Sequence, residues 1–130
     1  MEGLAMKTGK GSGNGIAQLI GLLFASRTYS HMAHLKTKSY SKHKALNAFY
    51  DEIVELADTL AEASQGIYGQ LDIPFVEVKG DVMDPIGVLK EHMDKVGEMQ
   101  KKCDEPFIDN IIQEIQALYS KTIYLMRDLS

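Results

Sequence analysis

Apolar residues recur along this chain at intervals of three and four, in blocks separated by short polar or proline- and glycine-containing stretches. That period is the signature of amphipathic helices. In the first block Ile16, Leu19, Ile20, Leu22, Leu23, Phe24, Tyr29, Met32 and Leu35 cover a broad arc, which predicts a helix buried on two sides. It should run from about Asn14 or Gly15, with Asn14 as N-cap, to about Leu35. A short joint at Lys36–Ser39 follows, then a cap at Ser39 or Ser41. The second helix extends to about Tyr68, where Gly66 and Gly69 supply stop signals. Phe49, Ile53, Leu56, Ala57, Leu60, Ser64 and Ile67 form its apolar face. So short a joint makes the first two helices antiparallel neighbours.

Residues 70–84 break the period. Pro74, Gly80 and the apolar Ile73, Phe75, Val76 and Val78 predict an extended crossover lying on the helices. Asp84 before Pro85 is a strong helix start, and the third helix should cover about 85–102, with Ile86, Leu89, Met93, Val96 and Met99 inward. Pro106 opens the last helix. Its stripe is Phe107, Ile108, Ile111, Ile112, Ile115, Leu118, Tyr119, Ile123 and Met126. The expectation is an all-α four-helix bundle with a crossover between helices two and three. It forms one domain over 15–130, preceded by a glycine-rich flexible tail over 1–14.

Composition changes this picture little. With 130 residues, 45% hydrophobic and 25% charged, the chain can bury a core without staples. The single cysteine, Cys103, cannot form an intrachain disulfide and reads as an inert thiol in a reducing compartment. The most apolar run, Ile16–Ala25, is too short to cross a bilayer, and the N-terminus does not resemble a signal peptide. A cytoplasmic protein is expected. GKGSGNG near the start lacks the spacing of a phosphate-binding loop. A net charge of −4 argues against wholesale nucleic-acid binding, although Lys36, Lys38, Lys42 and Lys44 cluster at the first joint and could touch phosphates if many subunits presented them together.

The chemistry-bearing residues lie between His31 and Glu62. Asp51, Glu55, Asp58 and Glu62 fall on one stripe of helix two, roughly opposite its apolar face. Asp58 and Glu62 stand one turn apart, a spacing that can ligate a divalent ion. His31 and His34 share one side of helix one, and His43 lies in the first turns of helix two, near the face of Asn47 and Asp58. Imidazoles and carboxylates converging from helices are how helical bundles hold iron or manganese. The bland alternative is a solvated acidic face. His92, on helix three, reads as a surface residue.

The stretch AHLKTKSYSKHKALNAFYDEIVELADTLAEASQG, His34 through Gly66, resembles the core of the Dps-type miniferritins of the ferritin-like superfamily. The family's helix-one histidine falls on His34, its early helix-two histidine on His43, and its Asp-x-x-x-Glu on Asp58 and Glu62. The resemblance implies a ferritin-like fold, a homo-oligomer (a dimer or a larger shell), and iron bound and oxidised between subunits by His34, His43, Asp58 and Glu62. His31 and Asn47 are additional candidates. Asn47 stands where the family usually has an acid, Leu35 where it commonly has tryptophan, and no lysine-rich tail is present. Small virus-encoded relatives with no assigned role would look like this. Two functions follow: a miniferritin with ferroxidase activity, or a non-catalytic ferritin-like bundle acting through its surfaces.

Overall fold

The structure, a computed structural model, describes residues 12–129. Four helices account for most of them: α1 Ser12–Lys36, α2 Tyr40–Tyr68, α3 Pro85–Gln100 and α4 Pro106–Asp128. The expected tail falls outside the described residues for 1–11. Ser12–Asn14 belong to α1, so Asn14 lies inside the helix rather than capping it. Helix three stops at Gln100, two residues before its expected end.

The other boundaries follow from local chemistry. The Ser39 hydroxyl accepts the Lys42 amide at 3.2 Å and caps α2. That satisfies one of the donors a helix start leaves free. At the far end Gly69 takes φ 83°, which costs glycine nothing, and donates its amide to the Gln65 carbonyl. Asp84 accepts from Gly87 at 3.1 Å, with Pro85 in the first turn of α3.

The bundle has a ferritin-like topology. Helix α1 packs on α2 and α3, and α4 packs on α2 and α3, while neither diagonal pair of helices meets. A plain up-down-up-down bundle would make α2 and α3 neighbours. Here the crossover at 69–84 carries the chain back along α1 before α3 begins. Tyr29 donates its hydroxyl to the Asp81 carbonyl at 2.5 Å. A Cβ on Gly21 would stand 2.5 Å from the Pro74 carbonyl oxygen, so glycine is what lets the strap lie directly on α1. The core is continuous: Leu19, Ile20, Leu23, Leu46, Phe49, Ile53, Leu60, Leu89, Val96, Ile108, Ile112 and Ile115 are buried. Phe49 and Tyr119 meet at its centre, 5.0 Å between ring centroids.

One expectation about packing does not hold. Phe24, Met32 and Leu35, counted in the apolar arc of α1, are exposed, as is Phe107 on α4. The arc of α1 is wider than three neighbouring elements can cover.

Candidate histidine and carboxylate site

Histidines gather where α1 ends and α2 begins. The antiparallel hairpin brings His34, in the last turns of α1, against His43, in the first turn of α2. Their rings stack at 3.7 Å and 21°. His34 Nδ1 donates to the His43 carbonyl at 2.7 Å, and His43 Nδ1 donates to the His34 carbonyl at 2.9 Å. A carbonyl can only accept, so both Nδ1 atoms carry hydrogen. In the neutral ring the remaining nitrogen, Nε2, then holds a lone pair. This is the tautomer a metal-ligating histidine uses when a backbone carbonyl orients it.

His31 and Tyr50 extend the cluster. Their rings stack at 4.2 Å, and Tyr50 stands edge-on to His34 at 5.3 Å. Tyr50 donates its hydroxyl to Asn47 Oδ1 at 2.8 Å, and Asn47 Nδ2 reaches Asp51 at 3.3 Å. Arg27 lies 5.8 Å from the Tyr50 ring and Lys44 5.8 Å from the Tyr40 ring, both within cation–π reach. Asn47, where the resemblance implied a carboxylate, is held by its two neighbours as a structural amide.

Asp51, Glu55, Asp58 and Glu62 are all exposed on α2, facing away from the core as the helical stripe predicts. Asp58 is fifteen residues beyond His43, about 22 Å of helix. Within one chain the histidine pair and the Asp58/Glu62 pair therefore stay apart. Among the described residues no group of three or more His, Cys, Asp or Glu side chains in one chain comes close enough to share an ion. Of the joint lysines, Lys36, Lys38 and Lys44 are exposed and Lys42 is half-buried.

His92 corrects the sequence reading. It is buried, not at the surface, and its Nδ1 lies 2.6 Å from the Ser26 hydroxyl, which lies 2.5 Å from the Tyr119 hydroxyl. Three helices thus contribute to a polar triad inside the core. Burial pushes the His92 pKa down, helped by Lys95 and opposed by Glu91, and burial pushes the Tyr119 hydroxyl up. The neighbours Glu91 and Asp94 concealed this placement, whereas the spacing Val88, Leu89, His92, Val96 put residue 92 on the inner face. The Cys103 thiol is half-buried and its pKa is raised by that burial, which disfavours the reactive thiolate.

Residues 34–126 match a family of unknown function, DUF5856. The chain belongs to this family. All four principal candidates, His34, His43, Asp58 and Glu62, lie inside the matched span. This DUF5856 protein is also 29% identical over 110 residues to the "Uncharacterized 14.6 kDa protein in mobD-ri intergenic region" of Enterobacteria phage T4, a match covering 84% of this chain and 85% of the relative. No solved structure matches it.

Proposed function

We propose that this protein is a ferritin-like, self-associating Fe(II)-binding protein whose metal site is shared between two copies. His34 and His43 of one copy would face Asp58 and Glu62 of another. The observation that carries this reading is the pair of Nδ1–H bonds to backbone carbonyls, which holds both imidazoles in the ligating tautomer. The donor set fits: two nitrogen donors fixed by the hairpin, and two exposed carboxylates one turn apart on a rigid helix. Fe(II) enters as the substrate, and its oxidation by dioxygen or peroxide is the chemistry such a site supports. The chain's own part is to fix ligand geometry at the hairpin and to exclude bulk water once the two copies close.

Anaerobic Fe(II) titration followed by oxidant tests this. Wild type should bind Fe(II) and develop ferric absorbance on oxidation, and Asp58→Ala/Glu62→Ala should lose both. Identical behaviour of the two proteins removes the reading. A second reading, a non-catalytic bundle acting through its surfaces, is favoured by Asn47 in place of a carboxylate. The reciprocal histidine bonds then serve as a clasp on the α1–α2 joint, and Fe(II) leaves stability and size unchanged.

A further inference from the structure

The strap at 69–84 is tied at its ends and bare along its middle. Leu71 donates its amide to the Gln65 side chain, and the Asp81 carbonyl accepts from the Tyr29 hydroxyl and the Asp84 amide. Between these ties the chain runs from 71 to 79 without a turn or a bend. Val76 and Val78 pack on the core while Phe75, Glu77 and Lys79 are exposed, the alternation of a strand lying on a surface. Among the described residues, no backbone amide or carbonyl from Asp72 to Gly80 is hydrogen-bonded. A strand carries donors and acceptors along both edges, and an unpaired edge is a template for another strand.

Beside this bare edge α1 is open. A groove of about 590 Å³ runs between the two, with Phe24, Thr28 and Met32 on the helix wall and Ile73, Phe75 and Val76 on the strap. Its helix wall extends from Gly21 to Met32, about 16 Å of helix or roughly five residues of extended chain. Met32 is 57% exposed, and Phe75 holds its side chain wholly in solvent at 107%. Acids rim the groove. Asp72, Glu77 and Asp81 are exposed on the strap, and Lys79 is the one base in that segment.

We infer that this groove captures an extended segment of a partner protein, which pairs with the strap as a second strand and lays its inner side chains on α1. The walls define the occupant. An extended backbone answers a row of unpaired amides and carbonyls, whereas a helix uses its own internally. Side chains of one face recur every second residue, so apolar residues at three alternate positions meet Phe24, Thr28 and Met32. The outward face sets an aromatic or apolar side chain beside Phe75 as a cross-strand pair. Lysine or arginine at the ends of the segment meets the acids of the rim. Proline is excluded wherever the segment must donate an amide to the strap. None of His34, His43, Asp58 and Glu62 takes part, so the inference stands apart from the metal reading.

The test is fluorescence anisotropy of the full chain with a labelled, end-blocked probe, Lys-Val-Tyr-Leu-Thr-Val-Lys. The probe should bind saturably in the micromolar range and slow hydrogen exchange at the amides of 72–80. Methylating the backbone amides of alternate residues leaves every side chain of the probe in place. One of the two alternate sets should weaken binding at least about tenfold, and the other should not. Met32→Lys and Glu77→Lys should each weaken binding about tenfold with helicity and Tm unchanged, and added salt should narrow the gap between Glu77→Lys and wild type. Absence of saturable binding, or two methylated probes that bind alike, overturns the inference. So does slow exchange at 72–80 before any probe is added. If dilution removes that protection the occupant is a second copy, and if Leu4→Glu removes it the occupant is the chain's own first residues.

Discussion

Two histidine environments in this molecule differ in what stands opposite the ring. At the hairpin, His34 and His43 each face a backbone carbonyl. In the core, His92 faces the Ser26 hydroxyl, which in turn meets Tyr119. A carbonyl dictates where the proton sits, whereas a hydroxyl adapts to either tautomer. The hairpin rings are therefore oriented by something that cannot rotate and keep a nitrogen lone pair to offer. The core ring is part of a polar group that satisfies itself. Counting histidines treats the two alike, and only their partners separate a candidate ligand from a packed interior residue.

Substitution should separate them most sharply through stability. His92→Ala leaves a cavity and strips the Ser26 hydroxyl of one partner in a dry core. Urea unfolding should show a loss of about 2–4 kcal/mol, with Fe(II) uptake per folded chain unchanged. Reduced uptake in this variant would mean that the core triad is not separate from the site.

The next effect is on pH dependence. The His92 pKa is lowered in the folded protein, so the unfolded chain takes up this proton first as the solution is acidified. Stability is fully present above the ordinary histidine range near 6.5. As pH falls through that value towards the depressed folded pKa, stability declines by up to about 1.4 kcal/mol per pH unit. Urea midpoints measured from pH 8 to pH 5 for wild type and His92→Ala should converge on acidification. A constant difference would show that His92 is not the titrating group.

A smaller stability change is expected at the hairpin. His34→Phe keeps a ring against His43 and removes one hydrogen bond of a buried side chain, a loss of about 1 kcal/mol, but it should abolish the Fe(II) uptake that His92→Ala leaves intact. Smallest of all, Asn47→Glu should lower the urea midpoint only slightly: a carboxylate can still accept from Tyr50, while it loses the bond to Asp51 and sets two carboxylates one turn apart, an exposed pair that costs about 0.5 kcal/mol. On the shared-site reading it tightens Fe(II) binding, and unchanged affinity would place residue 47 outside the ligand set.

How far the sequence could be read depended on the range of the forces involved. The helices were legible because their signals are local: Ser39, Gly69, the Asp84–Pro85 pair and Pro106 act within a turn of themselves. The crossover was legible because sixteen residues with proline and glycine cannot continue either neighbouring helix. The acidic stripe was placed correctly, since a helix wheel is enough to show that it points outward. His92 was misplaced because its sequence neighbours are charged, while the groups that hold it, Ser26 and Tyr119, are 66 and 27 residues away. Phe24, Met32 and Leu35 were counted as core because a helical wheel gives the direction of a side chain but not whether a neighbouring element lies there to cover it; all three are exposed. The reciprocal bonds of His34 and His43 depend on the register of the hairpin, which a short joint suggests but does not define.

The strap at 69–84 has a geometric corollary. Four helices joined only by tight turns begin and end at the same pole. One return crossing reverses that parity, so Ser12 and Leu129 of this chain lie at opposite poles of the bundle, with Leu129 at the pole of the histidine pair. A donor dye at position 12 and an acceptor at position 129 of one molecule should therefore read a separation of about one helix length, whereas tight turns throughout would bring the two together.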